Sequence, residues 1–523
     1  MKQVRLHSIH KKNLFIIDKG FNTDIDVTDR TIKIGDAFGL GIDESKKFDI
    51  FKDFNIGIND NDVVYITGDS GSGKSVLLKE LTNKFKDLYF KENKTEYTIA
   101  DLNNIRIKED EILSEGIGSS VEDAIKILAS VGLNDAFLFL RKYKHLSDGQ
   151  KYRYKLAKLI HYNNKVWIAD EFCSTLDRDT AKIVSYNFQK IARKLNKILI
   201  VATTHNDLIY DLNPSVLVDN GFGEKCEIIY NDEVEKRKCS LYEEANIEVG
   251  TIEDYYKLSN FHYRDSSICF YHDIFRMKLK DKLIGVIVYT SPKPELHSRN
   301  IVFNKEYSRN FDRINKEIKC ISRVIIHPKY RTIGLGHKLV SETLKQANCK
   351  VVELLSVMTK YNPFAIQAGM IKHKDKDYCI IDEYKSSMNL LKSYGFNIDK
   401  LTSIRENMKT LNTLSDEDFN EIKEKIQLGQ RTKYNRGFGK GTGYTARFLK
   451  DNNNILNFDK EKFADFLKRW KPYEVDYYYW INDEWKEDES QKCLLVDEIS
   501  LKKQSSFEVE EEHEKISCNK IEK

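Results

Sequence analysis

Gly68-Asp69-Ser70-Gly71-Ser72-Gly73-Lys74-Ser75 has the spacing G-x-x-x-x-G-K-[ST] of a phosphate-binding loop. Val63-Val64-Tyr65-Ile66-Thr67 before it reads as a short apolar strand, and Val76-Leu77-Leu78-Lys79-Glu80-Leu81 after it reads as a helix. Strand, loop and helix are the context the chemistry needs. Glycines let successive backbone N–H groups close around phosphate oxygens. The helix N-terminus adds partial positive charge. Lys74 is placed to reach the outer phosphates, and the Ser75 hydroxyl to ligate Mg2+.

Around this loop the chain is long and evenly charged. Its 523 residues suit two to four domains. A formal net charge of +4 gives no global attraction for nucleic acid, so any basic surface must be local. No run of 18 apolar residues is present, which predicts no membrane span. The start, MKQVRLHSIHKKNLF, lacks the apolar core of a secretory leader. Nine cysteines without C-x-x-C pairs read as reduced thiols rather than zinc ligands or disulfides, and the expected location is cytoplasmic. Residues 1–62 are expected to hold short strands, Leu14–Ile17 and Phe54–Ile58 among them, in the sheet that carries the phosphate loop.

Downstream, Leu146-Ser147-Asp148-Gly149-Gln150 opens a helix, another anion-binding arrangement. Val166–Ala169 is a buried strand ending in Asp170-Glu171. One carboxylate there can hold Mg2+ while its neighbour orients or deprotonates water. Ser174-Thr175-Leu176-Asp177 comes next. A second apolar strand, Ile198–Ala202, ends in Thr203-Thr204-His205. Five motifs in this order resemble the ABC-class ATPases, over residues 30–220. The resemblance implies that Gly68, Asp69, Ser70, Gly71, Ser72, Gly73, Lys74 and Ser75 cradle ATP, with Mg2+ on Ser75 and Asp170. Glu171 would be the catalytic base and His205 the switch histidine. Ser147, Gly149 and Gln150 would form the signature, and Asp177 the D-loop. Asp148 stands where the family usually has Gly. The family's Gln after an intervening strand has no counterpart between Val76 and Gly149; Glu109, Asp110 and Glu111 are the alternatives for its place. In this family each ATP lies between one protomer's P-loop and another's signature. One copy of each motif therefore implies an ATP-dependent homodimer.

Residues 231–250 are charged and read as a linker, with an α+β pattern from Ile252 onward. Leu283–Tyr289 and Cys320–Ile326 are strands. The second runs into His327-Pro328-Lys329-Tyr330-Arg331-Thr332-Ile333-Gly334-Leu335-Gly336 and then a helix, followed by a strand at Val351–Val357. Strand, [QR]-x-x-G-x-[GA] and helix resemble the acyl-CoA site of GNAT acyltransferases. Arg331, Thr332, Ile333, Gly334, Leu335 and Gly336 would then present N–H groups to the CoA pyrophosphate. Asn362-Pro363 reads as an N-cap with Pro at N1, opening a helix through Met370. Many GNAT enzymes keep a Tyr in this helix to protonate the departing thiolate. Phe364 sits near that place and Tyr361 one turn earlier, which makes Tyr361 the candidate acid. His262-Tyr263-Arg264, Gly285–Tyr289 and Ile321-Ser322-Arg323 resemble Mom-type phage enzymes that modify adenine in DNA. The layout as a whole resembles a family of ABC ATPase–GNAT fusions from archaea and phages.

Residues 401–428 read as helical. Arg431, Lys433, Tyr434, Arg436, Lys440, Tyr444 and Arg447 then lie in a Gly-rich stretch free of acids, suited to phosphate contact and base stacking. A solvated flexible loop has the same composition. The expected organisation is α/β: an ABC-type P-loop domain (1–240), an α+β GNAT-like domain (241–400), a small C-terminal α+β region (401–505) and a disordered acidic tail (506–523). The expected activity is ATP hydrolysis joined to N-acyl transfer. ATP, Mg2+ and an acyl-CoA, acetyl-CoA the expected donor, would be the cofactors. A nucleobase or nucleic-acid-linked amine is the expected acceptor. A small-molecule or protein amine, or a non-catalytic nucleic-acid clamp, are the alternatives.

Overall fold

The computed structural model describes residues 13–22, 26–39, 47–91, 98–221, 226–231, 234–262, 268, 270–356, 363–373, 382–435, 455–470 and 476–485. Strands β1 (Asn13–Asn22) and β2 (Lys47–Ile58) form their own two-stranded antiparallel sheet. The sequence places them in the sheet of the phosphate loop. Instead they pack against one of its faces, with Phe15, Ile17, Phe51, Phe54, Ile56 and Ile58 buried in a shared core.

The first large sheet comprises β3 (Val63–Thr67), β4 (Ile99–Asp101), β5 (Val166–Ala169), β6 (Ile198–Ala202), β7 (Val216–Asn220) and β8 (Cys226–Tyr230), in the order β4-β5-β6-β3-β7-β8. It is parallel except for β8. Every residue of β3, β5 and β6 is buried, as expected for parallel strands covered on both faces. Alternate residues serve opposite cores. Tyr65, Trp167, Leu199 and Val201 join one core, with the helices Asp148–Tyr162 and Arg178–Lys194. Val64, Ile66, Ile168 and Ile200 join the other, with the phosphate-loop helix Lys74–Lys91 and the β1–β2 sheet.

The second sheet comprises β9 (Ala245–Val249), β10 (Asp273–Leu279), β11 (Lys282–Thr290), β12 (Ile318–Ile326), β13 (Val351–Ser356), β14 (Ile371–Lys372) and β15 (Asp476–Ile481). Its order is β14-β15-β13-β12-β11-β10-β9. Only β12 and β13 run parallel, and their pairing spans Ile318–Ile321 against Val351–Leu354 before the strands part. At that point β12 carries a bulge against β11: Tyr289 faces Ile321 and Val288 faces Arg323, with Ser322 between.

Two sequence boundaries move. Residues 245–249, read as linker, form the edge strand β9, because Ala245 and the preceding Cys239 and Leu241 belong to the second core. The C-terminal segment is not separate from the sheet: β15 sits between β13 and β14. The helices Asp382–Ser393, Ile404–Thr413, Asp416–Asn435 and Lys460–Trp470 are therefore an insertion between β14 and β15, with a core of their own around Leu391, Leu411, Ile422 and Phe463. Helix Asp416–Asn435 runs beyond the predicted end at residue 428 and takes Arg431, Lys433 and Tyr434 into its last turns. Arg436, Lys440, Tyr444, Arg447 and the tail 506–523 lie outside the described residues. No helix among the described residues is long and apolar enough to cross a membrane.

The two large sheets share packing. Ile183 and Tyr186 from helix Arg178–Lys194 join the core of the second sheet. On that sheet's other side Arg299 and Glu353, each 1% exposed at the side chain, form a buried pair (2.5 and 3.0 Å), and Tyr477 Oη donates to Glu353 (3.2 Å). Arg299 also donates to the carbonyl of Lys293. Breaking one side of such a pair leaves a buried charge unpaired. Arg299→Met is expected to cost about 3–5 kcal/mol, and Arg299→Met with Glu353→Leu distinctly less. Urea unfolding followed by tryptophan fluorescence measures both; equal losses in the two variants would contradict the assignment.

Candidate functional site

The phosphate loop leaves β3 and enters helix Lys74–Lys91 with Gly68, Gly71 and Gly73 at φ of 134°, 81° and 92°. A Cβ at Gly68 would stand 2.0 Å from the Asn220 carbonyl oxygen, and one at Gly73 2.8 Å from Ile50. Asn220 also donates from its side chain to the Ser72 carbonyl. It thus pins the loop from the end of β7, 148 residues away in sequence. Ser72 Oγ is buried and has no hydrogen-bond partner among the described residues. Lys74 Nζ donates to the Gly68 (2.9 Å) and Asp69 carbonyls. Burial lowers the Lys74 pKa, while the Asp69 and Asp170 carboxylates oppose that shift. Asp170, at the end of β5, is thereby within electrostatic reach of Lys74. A glycine-rich loop at a helix N-terminus with no room for a Cβ at Gly68, an orphan hydroxyl and a buried ammonium suit a polyphosphate. The Ser75 hydroxyl and Asp170 carboxylate are hard oxygen donors of the type Mg2+ takes.

Glu171, next along, adopts φ +48° and Cys173 +58°. Left-handed backbone at two non-glycine residues in one turn is strain of the kind found at functional turns. The turn is held by Phe172 N–H to the Ala202 carbonyl (2.8 Å) and by Cys173 N–H to Tyr152 Oη (2.8 Å). His205 comes after β6, its carbonyl accepting from Tyr65 Oη. Arg178 pairs with Asp207, which ties the turn after Asp177 to the turn after His205.

Ser147 caps helix Asp148–Tyr162 in a capping box: its Oγ accepts from Gln150 N–H (3.4 Å), and Gln150 Oε1 accepts from Ser147 N–H (3.1 Å). A Cβ at Gly149 would touch Leu176 at 3.4 Å, so this helix start and the Ser174–Asp177 turn lie together. Asp177 in turn caps helix Arg178–Lys194, accepting from Thr180 N–H (3.2 Å) and Oγ1 (2.6 Å).

Of the acids offered for the missing Gln, Glu111 is committed to Lys158 (2.7 Å) and Tyr154 (2.6 Å), and Asp110 to Lys142 and Lys144. The Glu109 carbonyl accepts from Lys144 N–H. The strand next to β5 is β4, and Leu102-Asn103-Asn104 comes directly after it, setting two side-chain amides at that strand's end. A strand of three residues shows no readable periodicity, so β4 is not legible in the sequence.

In the second sheet, Arg331–Gly336 joins β12 to helix Leu335–Thr343. Ile333 and Leu335 are buried in the core, and Gly334, at φ +91°, caps the helix. Thr332 holds φ +76°, a costly conformation for a β-branched residue. The first helical N–H groups have no intrahelical acceptor. The Arg331 guanidinium is engaged by three carbonyls, of Ile326 (2.8 Å), Asn134 (2.8 Å) and Phe261 (3.2 Å). The side chain thus clamps the loop.

The helix expected from Asn362 to Met370 spans only Phe364–Gln367. Pro363 is its N-cap rather than its first helical residue, and Gly369 at φ +91° ends it. Tyr361, Tyr263 and Arg264 lie outside the described residues.

Comparison with known proteins places the first sheet. Residues 51–174 match the family described as ABC transporter. The chain is 27% identical over 207 residues to the probable ABC transporter ATP-binding protein p29 of Mesomycoplasma hyorhinis, covering 32% of this chain and 80% of p29. It is 30% identical over 200 residues to the phosphonates import ATP-binding protein PhnC of Mesoplasma florum, covering 30% of this chain and 79% of PhnC. Against the ATP-binding cassette MJ0796, solved as a dimer bound to ADP and Pi, the TM-score is 0.29 at 18% identity, covering 37% of this chain and 94% of that one. Through its N-terminal third, the chain belongs to the family of ABC transporter ATP-binding proteins, a family of ATP-hydrolysing cassettes.

Proposed function

We propose that the chain couples an ATP-hydrolysing cassette, working as a homodimer, to a GNAT-like N-acyltransferase. In the cassette, Lys74 and the N–H groups of Gly68–Ser75 hold the ATP phosphates. Ser75 and Asp170 would hold Mg2+, which would supply positive charge against the phosphates when bound. Glu171 orients and deprotonates water for in-line attack, and His205 faces the γ-phosphate. The N-terminus of helix Asp148–Tyr162, with Ser147, Gly149 and Gln150, serves the partner's nucleotide. Asp148 sets a carboxylate in its first turn where the family usually has none. The side-chain amide of Asn103 takes the place of the missing Gln, that of Asn104 donating to Asp101 Oδ2 (2.9 Å); the position of β4 beside β5 supports this.

The acyltransferase half rests on one observation: a loop with two left-handed residues, Thr332 and Gly334, between β12 and the N-terminus of helix Leu335–Thr343. Its backbone suits the CoA pyrophosphate. The parting of β12 from β13, beside the bulge at Ser322, supports a thioester site there. An acceptor amine attacks the thioester carbonyl. Backbone N–H groups hold the oxyanion, and collapse expels the CoA thiolate as the nitrogen gives its proton to solvent water. Tyr361 is the proposed acid for the thiolate. A nucleobase or nucleic-acid-linked amine remains the acceptor favoured by the basic, aromatic stretch from Arg431 to Arg447.

Glu171→Gln is expected to keep ATP binding and lower turnover by about 10²-fold or more, trapping a dimer visible by light scattering. Wild-type turnover in this variant would remove Glu171 as the base. Gly334→Glu puts a charged side chain at a φ +91° position facing the Tyr242 ring. CoA affinity is expected to drop by about tenfold or more in calorimetry, ATP binding persisting as the folding control. Unchanged CoA affinity would refute the site. Nucleic-acid binding by the full chain should weaken by about 0.9 log units per log unit of salt for each duplex phosphate neutralised. Changing Arg431, Lys433, Arg436 and Lys440 together to Ala should flatten that slope. A protein without salt-sensitive binding would shift the acceptor to a small-molecule or protein amine.

A further inference from the structure

Loop Pro328–Gly336 does not stand free at the end of the second sheet. Lys329 Nζ pairs with Asp177 Oδ1 (2.5 Å) and Asp179 Oδ2 (3.3 Å). Tyr330 Oη donates to Asp179 Oδ2 (2.9 Å), and Asn187 Nδ2 donates to Thr332 Oγ1 (2.7 Å). Asn134 Nδ2 donates to the Pro328 carbonyl (3.4 Å), and Arg331 returns a bond to the Asn134 carbonyl. Beneath these polar contacts Ile183 and Tyr186 of the cassette pack with Tyr330, Ile333 and Leu335. Each residue of the loop from Pro328 to Thr332 thus bonds to the cassette, and each partner lies on helix Arg178–Lys194, at its cap Asp177 or at Asn134.

The cassette side of this junction is also tied to the ATP site. Asp177 ends the turn that begins at Asp170-Glu171, where Glu171 and Cys173 hold left-handed backbone. Arg178 links the same turn to Asp207, just after His205. The Lys329 pair is partly exposed, with side chains 27% and 57% accessible, so by itself it adds little stability. What it does have is position: it joins the strained turn of one site to the strained loop of the other. On the acyl-donor side Asn187, from the helix that Asp177 caps, bonds Thr332, which holds φ +76°. Burial works against ionisation of Asp177, but the hydrogen bonds from Lys329 and Thr180 keep its carboxyl below the ordinary range. It is therefore a charged partner at neutral pH.

We propose that this junction couples the two sites, with Lys329 a positioning residue that transmits ATP occupancy to the acyl-CoA loop. The inference rests on the ATPase and acyltransferase readings above. When the Ser174–Asp177 turn is drawn into a closed ATP dimer, Lys329 and Thr332 follow it, and the N–H groups of Thr332–Gly336 change their presentation to CoA. Linkage makes the effect reciprocal: CoA must alter ATP affinity by the same factor.

The test uses the full chain carrying Glu171→Gln, which holds ATP unhydrolysed, and CoA as titrant in calorimetry. Saturating ATP is expected to change the CoA Kd by about fivefold or more, and CoA the ATP Kd by the same factor. Adding Lys329→Met should bring both ratios to within about twofold of unity, and Lys329→Arg should restore most of the effect. In the otherwise unmodified chain, Lys329→Met should lower ATPase kcat with KM retained, because it frees a turn that acts in the transition state. CoA binding that ignores ATP, or coupling that survives Lys329→Met, would overturn the junction while leaving both sites standing. Absence of CoA binding in a chain that hydrolyses ATP would overturn the acyltransferase reading itself, and the coupling with it.

Discussion

Helix Arg178–Lys194 carries two loads. Ala181, Val184 and Phe188 face the core of the parallel sheet, while Ile183 and Tyr186 enter the core of the second sheet. A single α-helix can do this because its apolar residues extend around the axis beyond one stripe. Asp177 caps it and so sets where it starts, immediately after the Asp170-Glu171 turn. Neither module can shift relative to the other without disturbing that start. Close-packed interiors respond to such a demand by moving between discrete arrangements rather than by bending.

The same physical device appears at both proposed sites. A buried strand ends, glycine or strained backbone turns the chain, and a helix begins with its N–H groups free. At Gly68 of the phosphate loop the close neighbour is the Asn220 backbone, so a side chain is excluded there. At the second loop the buried side chains of Ile333 and Leu335 hold the strand-to-helix turn in place, and Thr332 is held left-handed by Asn187 and its own neighbours. Strain persists only where the surroundings over-determine it. Here the surroundings come from the other module.

Legibility in the sequence tracks the range of the interactions. The phosphate loop, the Ser147 cap and the strands β3, β5 and β6 can be read directly, because their chemistry demands particular residues within a few positions. Strand β4 is too short to show periodicity, so nothing local marks the strand end beside β5. The place of β15 between β13 and β14 leaves no local mark, since the whole helical insertion intervenes. The placing of β1 and β2 fails for a related reason. Alternating apolar residues say that a strand has a buried face, not which sheet it pairs with. The Lys329–Asp177 and Asn187–Thr332 contacts join distant positions and leave no local pattern at all.

Hydrogen–deuterium exchange of the full Glu171→Gln chain tests the joint account most directly. Acetyl-CoA is expected to slow amide exchange in peptides spanning Arg331–Thr343. ATP with Mg2+ is expected to slow exchange at Gly68–Ser75 and at Ser147–Gln150, and to alter exchange in the Pro328–Thr332 peptide as well. Unchanged exchange across Arg331–Thr343 at saturating acetyl-CoA would contradict the account.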